Sequence, residues 1–407
     1  MERRVVITGL GIWSCLGTNL DEVRQSLYSG KSGIIFSQAR KDAGFRSALC
    51  ADVPKADLKK YLSRDLRKLM PEEAQYGYLA TIQALEHAKL DQDFLDQNEV
   101  GVIYGNDSVA EATMQALDKF RQAGSTAACG SGAIFQSMNS TVTMNLATLL
   151  HLRGINLTAS AACASGSHSV GLGYLLIKDG LQDCIICGGA QEANMFSVAS
   201  FDGLMAFSTR EDEPTKASRP FDRDRDGLVP GGGAATLVLE SYEHAVKRGA
   251  PILAEIVGWG FSGNGDHIST PNVAGPTRSL ELCLKNGGIN PRDIGYINAH
   301  ATSTHAGDGR EALAIANIFG DYRVPVTSTK SQTGHEMWMA GASELIYSIL
   351  MMKNDFIGGS LNFENPDEHT ACINVNPETR EAHFDMFLSN SFGFGGTNSS
   401  LIIQNLE

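Results

Sequence analysis

The 407-residue chain has no apolar run near the roughly 18–20 residues that cross a bilayer, which excludes a membrane-spanning helix on sequence grounds. Met1–Ser14 holds too short an apolar stretch for a secretion signal and shows no small-residue cleavage pattern. A cytoplasmic location is expected. Basic charge is scarce: 33 Lys and Arg stand against 46 Asp and Glu, giving a net charge of −13. Nucleic acid and anionic membranes are thereby excluded as general partners, while a local basic patch is not. A paired-cysteine framework is missing too. The eight cysteines, at 15, 50, 129, 163, 184, 187, 283 and 372, are scattered and read as reduced thiols. No low-complexity linker, short-period repeat or Walker-A sequence occurs.

What is present is an ordinary globular composition, 43% hydrophobic and 19% charged. Short apolar runs alternate with amphipathic stretches. Strands are expected at Val5–Thr8, Val100–Tyr104, Cys184–Gly188, Ala235–Leu239, Tyr296–Asn298, Val324–Thr327 and Met386–Ser389. Helices are expected at Asp21–Ser29, Glu72–Ala88, Ser165–Lys178, Thr277–Lys285, Gly309–Phe319 and Ala340–Lys353. This interleaving predicts an α/β fold with well-covered sheets. Many of the 43 glycines cluster where strands meet helices, a composition that suits active-site turns. A change of character near residues 245–255 separates two halves, 1–250 and 251–407.

The segment Asn156 to His168 ends a strand and opens a helix around Cys163, which has small residues on both sides. A cysteine there feels the positive end of the helix dipole, which favours thiolate. Free N–H groups at the same end suit a developing oxyanion. A buried structural cysteine fits the motif about as well. Cys184 and Cys187 form a CxxC inside an apolar run and read as core.

Two further loops follow strands: Asn298-Ala-His300-Ala-Thr302-Ser-Thr304 and Thr329-Lys330-Ser-Gln-Thr333-Gly334-His335. Strand ends of this kind are where α/β proteins gather ligand sites. Two neutral imidazoles that donate to one thioester carbonyl would stabilise an enolate. A Lys330–Glu311 pair would hold the histidine loops. His87, His151, His244, His369 and His383 read as structural, and His168 as packing behind Cys163. Metal at His300 and His305 is not expected, since no carboxylate lies in step. Gly9-Leu-Gly11 lacks the third glycine of a dinucleotide fingerprint. Asp222-Arg-Asp224-Arg-Asp226-Gly227 places Gly233 where a calcium loop needs glutamate, so an ion-pair network is expected there instead.

Taken together, Val5–Gly11, Ala161–Ser167, Ser218–Asp222 with Arg225–Gly227, Asn298–Thr304, Thr329–His335 and Asn390–Asn398 resemble the β-ketoacyl-acyl-carrier-protein synthases of type I/II, in the thiolase superfamily. The motifs stand in the family's order along nearly the whole chain. The resemblance implies a five-layered αβαβα fold of two similar halves, the first carrying the nucleophile and the second both histidines. It also implies a homodimer, with a heterodimer of related subunits as the variant. By resemblance Cys163 takes the acyl group, and His300 and His335 drive malonyl decarboxylation. Lys330 and Glu311 support them, and the Phe394 N–H joins that of Cys163 in the oxyanion hole. Thr302 and Thr304 would bond the phosphopantetheine arm. No free cofactor and no metal is implied. The partner would be acyl-carrier protein, docked by Arg64, Arg67 and Lys68 in a local basic run that otherwise reads as a solvated helix face.

The chain departs from the family at Glu336-Met-Trp338-Met, where small apolar residues are usual, and at Asp107 and Ser108, which would line a more polar acyl pocket. The resemblance implies fatty-acid synthesis or a specialised type II pathway; these departures favour an unsaturated or polar acyl chain in polyene or polyketide-like synthesis. The alternative is a non-catalytic chain-length-factor-like subunit, which typically lacks the nucleophile that Cys163 supplies here.

Overall fold

A computed structural model describes residues 3–406. Eleven strands form one continuous sheet, labelled here in chain order. They are β1 (Val5–Trp13), β2 (Val100–Gly105), β3 (Asn156–Ala159), β4 (Cys184–Gln191), β5 (Gly233–Ser241), β6 (Ala254–Gly263), β7 (Tyr296–Asn298), β8 (Pro325–Thr327), β9 (Asn374–Val375), β10 (Met386–Gly393) and β11 (Thr397–Gln404). Two short two-stranded ribbons lie outside the sheet. The spatial order is β9-β8-β7-β10-β11-β6-β1-β5-β4-β2-β3.

That order contains a repeat. From the seam outwards, the first half runs β1-β5-β4-β2-β3 and the second β6-β11-β10-β7-β8, with β9 added at the edge. Each half thus places its opening strand beside its closing strand, then its second and third strands outermost. The seam itself is short: β1 and β6 pair antiparallel through Val5–Ile256, Val6–Glu255 and Ile7–Ala254. The strands are apolar on both faces because helices cover both.

Helix α1 (Glu72–Ala88) packs on the outside of β1 and β5. Also in the first half are α2 (Glu111–Ala123) and α3 (Thr141–Leu149). Helix α4 (Ser165–Lys178) follows β3. In the second half α5 (Ala274–Gly287) and α6 (His305–Phe319) lie outside, and α7 (Ala340–Lys353) follows β8. α4 and α7 touch each other and strands of both halves, so they form the middle layer. Their N-terminal ends cross at two glycines. A Cβ on Gly166 would lie 2.9 Å from the Ala342 nitrogen, and one on Gly341 2.5 Å from the Ser167 nitrogen. No side chain fits at either point.

The CxxC cysteines sit in separate apolar clusters, Cys184 with α1 and Cys187 with α4 and α7, which bears out their reading as core. α6 begins at His305, earlier than expected, because the Thr304 side chain caps it by accepting the Gly307 N–H at 3.3 Å.

Candidate active site

The repeat sets the chemistry. Cys163 lies between β3 and α4, and His335 between β8 and α7, the same station in the two halves. His300 follows β7 and Phe394 follows β10. The crossing of α4 and α7 brings these turns together. The Cys163 sulfur and one nitrogen from each of His300 and His335 lie within 4.8 Å of one another. The imidazoles meet edge to face with centroids 5.3 Å apart. All three residues line one cleft with Phe201, Leu228 and Phe394.

The Cys163 turn is strained on purpose. Ala162 has φ 47°, unusual for a residue with a side chain. It is fixed by Asp107, whose Oδ2 accepts the Ala162 N–H at 3.0 Å, and by Ser165, which donates to the Ala162 carbonyl at 2.6 Å. Asp107 and Ser108 are not among the residues that line the cleft. Asp107 braces the turn from behind instead, because its carboxylate is the acceptor that the exposed Ala162 N–H needs.

Burial pushes the Cys163 thiol up to about 12. Lys330 and the backbone N–H groups of Cys163 and Phe394 pull the other way without overcoming it. The expected thiolate is therefore not the resting form: desolvation outweighs the helix end.

His300 is held through its backbone. Glu311 on α6 accepts the His300 N–H at 2.9 Å, the Ala301 N–H at 2.7 Å and the Asn390 amide at 3.1 Å. Asp308 accepts from Thr302 and Thr304, whose hydroxyls lie 3.1 Å apart at the cleft. The acidic-arginine segment clamps this loop from outside. Arg225 bonds the Thr304 and His305 carbonyls and pairs with Asp367 at 2.7 Å. The ion-pair network expected there is present.

His335 is held differently. Its N–H donates to Val229 and its carbonyl accepts from Gly231. The Met337 N–H donates to Nδ1 at 3.2 Å, which puts the ring proton on Nε2. Nε2 is buried without a protein partner, as is Nδ1 of His300. Burial and the nearby Lys330 push both imidazoles well below the usual histidine range, so both are neutral.

The pair expected between Lys330 and Glu311 does not form. The Lys330 ammonium bonds Glu344 of α7 in a fully buried contact. The reason is competition: three N–H donors already occupy Glu311. Glu344 lay unread in the sequence, although a carboxyl inside so apolar a helix demands a partner. Burial pushes Glu311 and Glu344 up to about 7, against the pull of Lys330. His168 does pack behind Cys163, bonded to Thr397 at 3.0 Å and edge-on to Trp259. His87, His151, His244, His369 and His383 all have ordinary partners.

Cys163, His300 and His335 are the sole group among the described residues with metal-ligand spacing. The fit is poor. A metal-bound imidazole donates its outer N–H to an acceptor, whereas Nδ1 of His335 receives one. The cleft wall from Asn264 to Asn272 was not anticipated. Its only mark in the sequence is a polar, turn-rich run between β6 and α5. Arg64 and Lys68 are exposed and Arg67 is half-buried on the short helix Arg64–Arg67 and its end.

Residues 2–245 match the β-ketoacyl synthase N-terminal domain, and residues 253–364 match the β-ketoacyl synthase C-terminal domain. The chain is 41% identical over 405 residues to 3-oxoacyl-[acyl-carrier-protein] synthase 1 of Haemophilus influenzae, covering 99% of each. It superposes on a β-ketoacyl synthase from Burkholderia phymatum with TM-score 0.96, at 37% identity and 100% coverage of both chains. Against the ishigamide ketosynthase/chain length factor the TM-score is 0.91, at 30% identity and 100% coverage of both.

Proposed function

The chain belongs to the β-ketoacyl synthase family, and from that premise we propose that it joins an acyl group on Cys163 to malonyl-acyl-carrier protein. The products are 3-oxoacyl-acyl-carrier protein and carbon dioxide. It is a condensing enzyme, and the observation that carries the residue roles is the meeting of Cys163, His300 and His335 within 4.8 Å.

In the first step the Cys163 sulfur attacks the carrier thioester. A C–S bond forms to Cys163, the carrier's C–S bond breaks, and the thiol proton leaves with the carrier thiol. The N–H groups of Cys163 and Phe394 hold the oxyanion. In the second step the imidazoles hold the malonyl thioester carbonyl, with Nε2–H of His335 as donor. The bond to the carboxylate breaks, carbon dioxide leaves, and its electron pair becomes the enolate. In the third step the enolate carbon attacks the Cys163 thioester. The C–C bond forms, the C–S bond breaks, and the sulfur regains a proton from solvent. Neutral imidazoles suit this scheme because they stabilise an enolate without protonating it. The intact trio disfavours a non-catalytic partner subunit.

The halves 1–250 and 251–407 divide the labour, nucleophile in the first and histidines in the second. Thr302 and Thr304 lie where the carrier's phosphopantetheine arm enters, and no free cofactor is needed. Arg64, Arg67 and Lys68 dock the acidic carrier. A second subunit, a copy or a relative as in the ishigamide pair, covers the open edge of β3. There Leu157 is 43% exposed, and Ile134, Phe135 and Met138 beside α2 are 61%, 49% and 41% exposed. A monomer at micromolar concentration in sedimentation would reject that assembly. The cytoplasm is its place of work, and cell fractionation that finds it elsewhere would refute this.

The acyl group is a specialised one. Trp338, Phe207, Val198 and Leu228 form one buried cluster with Cys163, and the Trp338 indole N–H has no acceptor. Phe201 stacks between Phe207 and Phe394. The aromatic rings that line the cleft itself, Phe201, Phe392 and Phe394, suit an unsaturated chain better than a flexible saturated one.

Mass spectrometry after exposure to saturated, unsaturated and oxygenated acyl carriers tests these readings together. Acylation should fall on Cys163 and vanish in Cys163→Ala. Neutralising Arg64, Arg67 and Lys68 should slow loading from carriers and spare loading from small thioesters. Adducts on another residue, or none, overturn the function; equal loading of all chains overturns the specificity.

A further inference from the structure

One buried acid beside the site has no part in this scheme. Glu336 follows His335 directly and is 1% exposed. Its side chain reaches α7. Oε2 lies 2.5 Å from the Ser343 hydroxyl, and Oε1 lies 2.8 Å from the Tyr347 hydroxyl. The Ser343 hydroxyl also lies 3.0 Å from the Ala340 carbonyl.

A hydroxyl has one proton to donate. The Ala340 carbonyl can only accept. If Ser343 donates there, its contact with Glu336 needs a proton on Oε2. The chain then closes without a gap: Tyr347 donates to Oε1, Glu336 donates to Ser343, and Ser343 donates to Ala340. A carboxylate at Glu336 would claim the Ser343 proton and leave the Ala340 contact unmade. The ionisable groups facing Glu336 are Glu344, Lys330, Cys15 and Tyr347. The one cation among them, Lys330, is bonded to Glu344.

This acid is built into the peptide that aims His335. Nδ1 of His335 accepts from Met337, which sits at φ 48°, and the Glu336 carbonyl accepts from Met339 at 3.0 Å. We propose that Glu336, as a neutral acid bolted to Ser343 and Tyr347, is the positioning residue that keeps Nε2–H of His335 turned into the cleft. The inference rests on the role given to His335 above. Ionising Glu336 would put an unpaired charge into this turn and loosen the aim. Burial pushes the group up to about 8, so its proton is held through neutral pH and lost in mild alkali.

The test is the pH dependence of kcat for condensation, with acyl loading of Cys163 measured separately. In the wild type, condensation should fall above about pH 8, approaching tenfold per pH unit. In Glu336→Gln the amide donates to Ser343 and accepts from Tyr347, so that alkaline limb should be lost. Glu336→Leu should lower kcat about tenfold at neutral pH with no alkaline limb of its own, leave KM and Cys163 loading in place, and be rescued in large part by glutamine. An alkaline limb in Glu336→Gln identical to the wild type overturns the inference, as does full kcat in Glu336→Leu. Failure of wild-type Cys163 to load would instead overturn the function on which the inference rests.

Discussion

The His300 loop hangs from Glu311, whose oxygens meet only donors: two backbone N–H groups and the Asn390 amide. The His335 loop hangs from Glu336, whose oxygens meet two hydroxyls, one of which is shared with the Ala340 carbonyl. Both acids are buried, yet their surroundings require different forms. Donors on every side favour a carboxylate; a hydroxyl shared with a carbonyl favours the acid. Burial depth does not make this distinction. The polarity of each neighbour does.

The largest expected effect strikes what both loops share. Lys330 depresses the proton affinity of both histidines. Lys330→Met should strand Glu344 in the core at a cost of about 3–5 kcal/mol. Thermal unfolding should fall by roughly four to six degrees, and Lys330→Met with Glu344→Leu should recover most of it. A double variant no more stable than the single one would count against the pair. Next comes Glu311→Gln, which turns an NH2 group towards a backbone N–H. Its cost is about 1–3 kcal/mol, read as a drop in kcat of about tenfold or more at neutral pH. A loss no greater than that of Glu336→Gln would erase the contrast between the loops. The smallest effect belongs to Trp338→Phe. It removes the unpaired donor but also the pyrrole half of a buried indole, so the gain and the cavity cost should nearly offset and stability should change by less than about 1 kcal/mol. A fall of several kcal/mol in unfolding free energy would show that the indole N–H has a protein partner after all.

Much of the fold was legible because its elements are strongly patterned. Glu72–Ala88, Ser165–Lys178 and Ala340–Lys353 run between the expected residues. β6, the second half's seam strand, and its neighbour β11 went unread. β6 is interrupted by Gly258 and Gly260, and β11 opens on Thr397-Asn-Ser-Ser400, which does not look like a core strand. Those serines are buried because each finds another hydroxyl: Ser399 with Ser167 at 2.7 Å, and Ser400 with Ser279 at 3.0 Å. α2 was missed as well, since its apolar stripe faces outwards at Met114, Leu117 and Phe120.

At the site, the three residues that converge were visible in the sequence because each stands in a distinctive motif. Their supports were less so. Lys330 faces two buried acids of similar reach, and spacing cannot say which is already occupied. Asp107 looked like a pocket wall because the local text is polar, whereas its one accepting bond to Ala162 depends on a turn that only the folded chain displays.

The meeting of Gly166 and Gly341 carries one more consequence. The gap between sulfur and imidazole is gauged by main chain resting on main chain, not by the girth of any side chain. Changes to apolar side chains elsewhere can therefore vary the molecule's robustness while this distance stays put. The price is rigidity: neither half can drift alone, since the two helices bear on each other where the reacting groups begin.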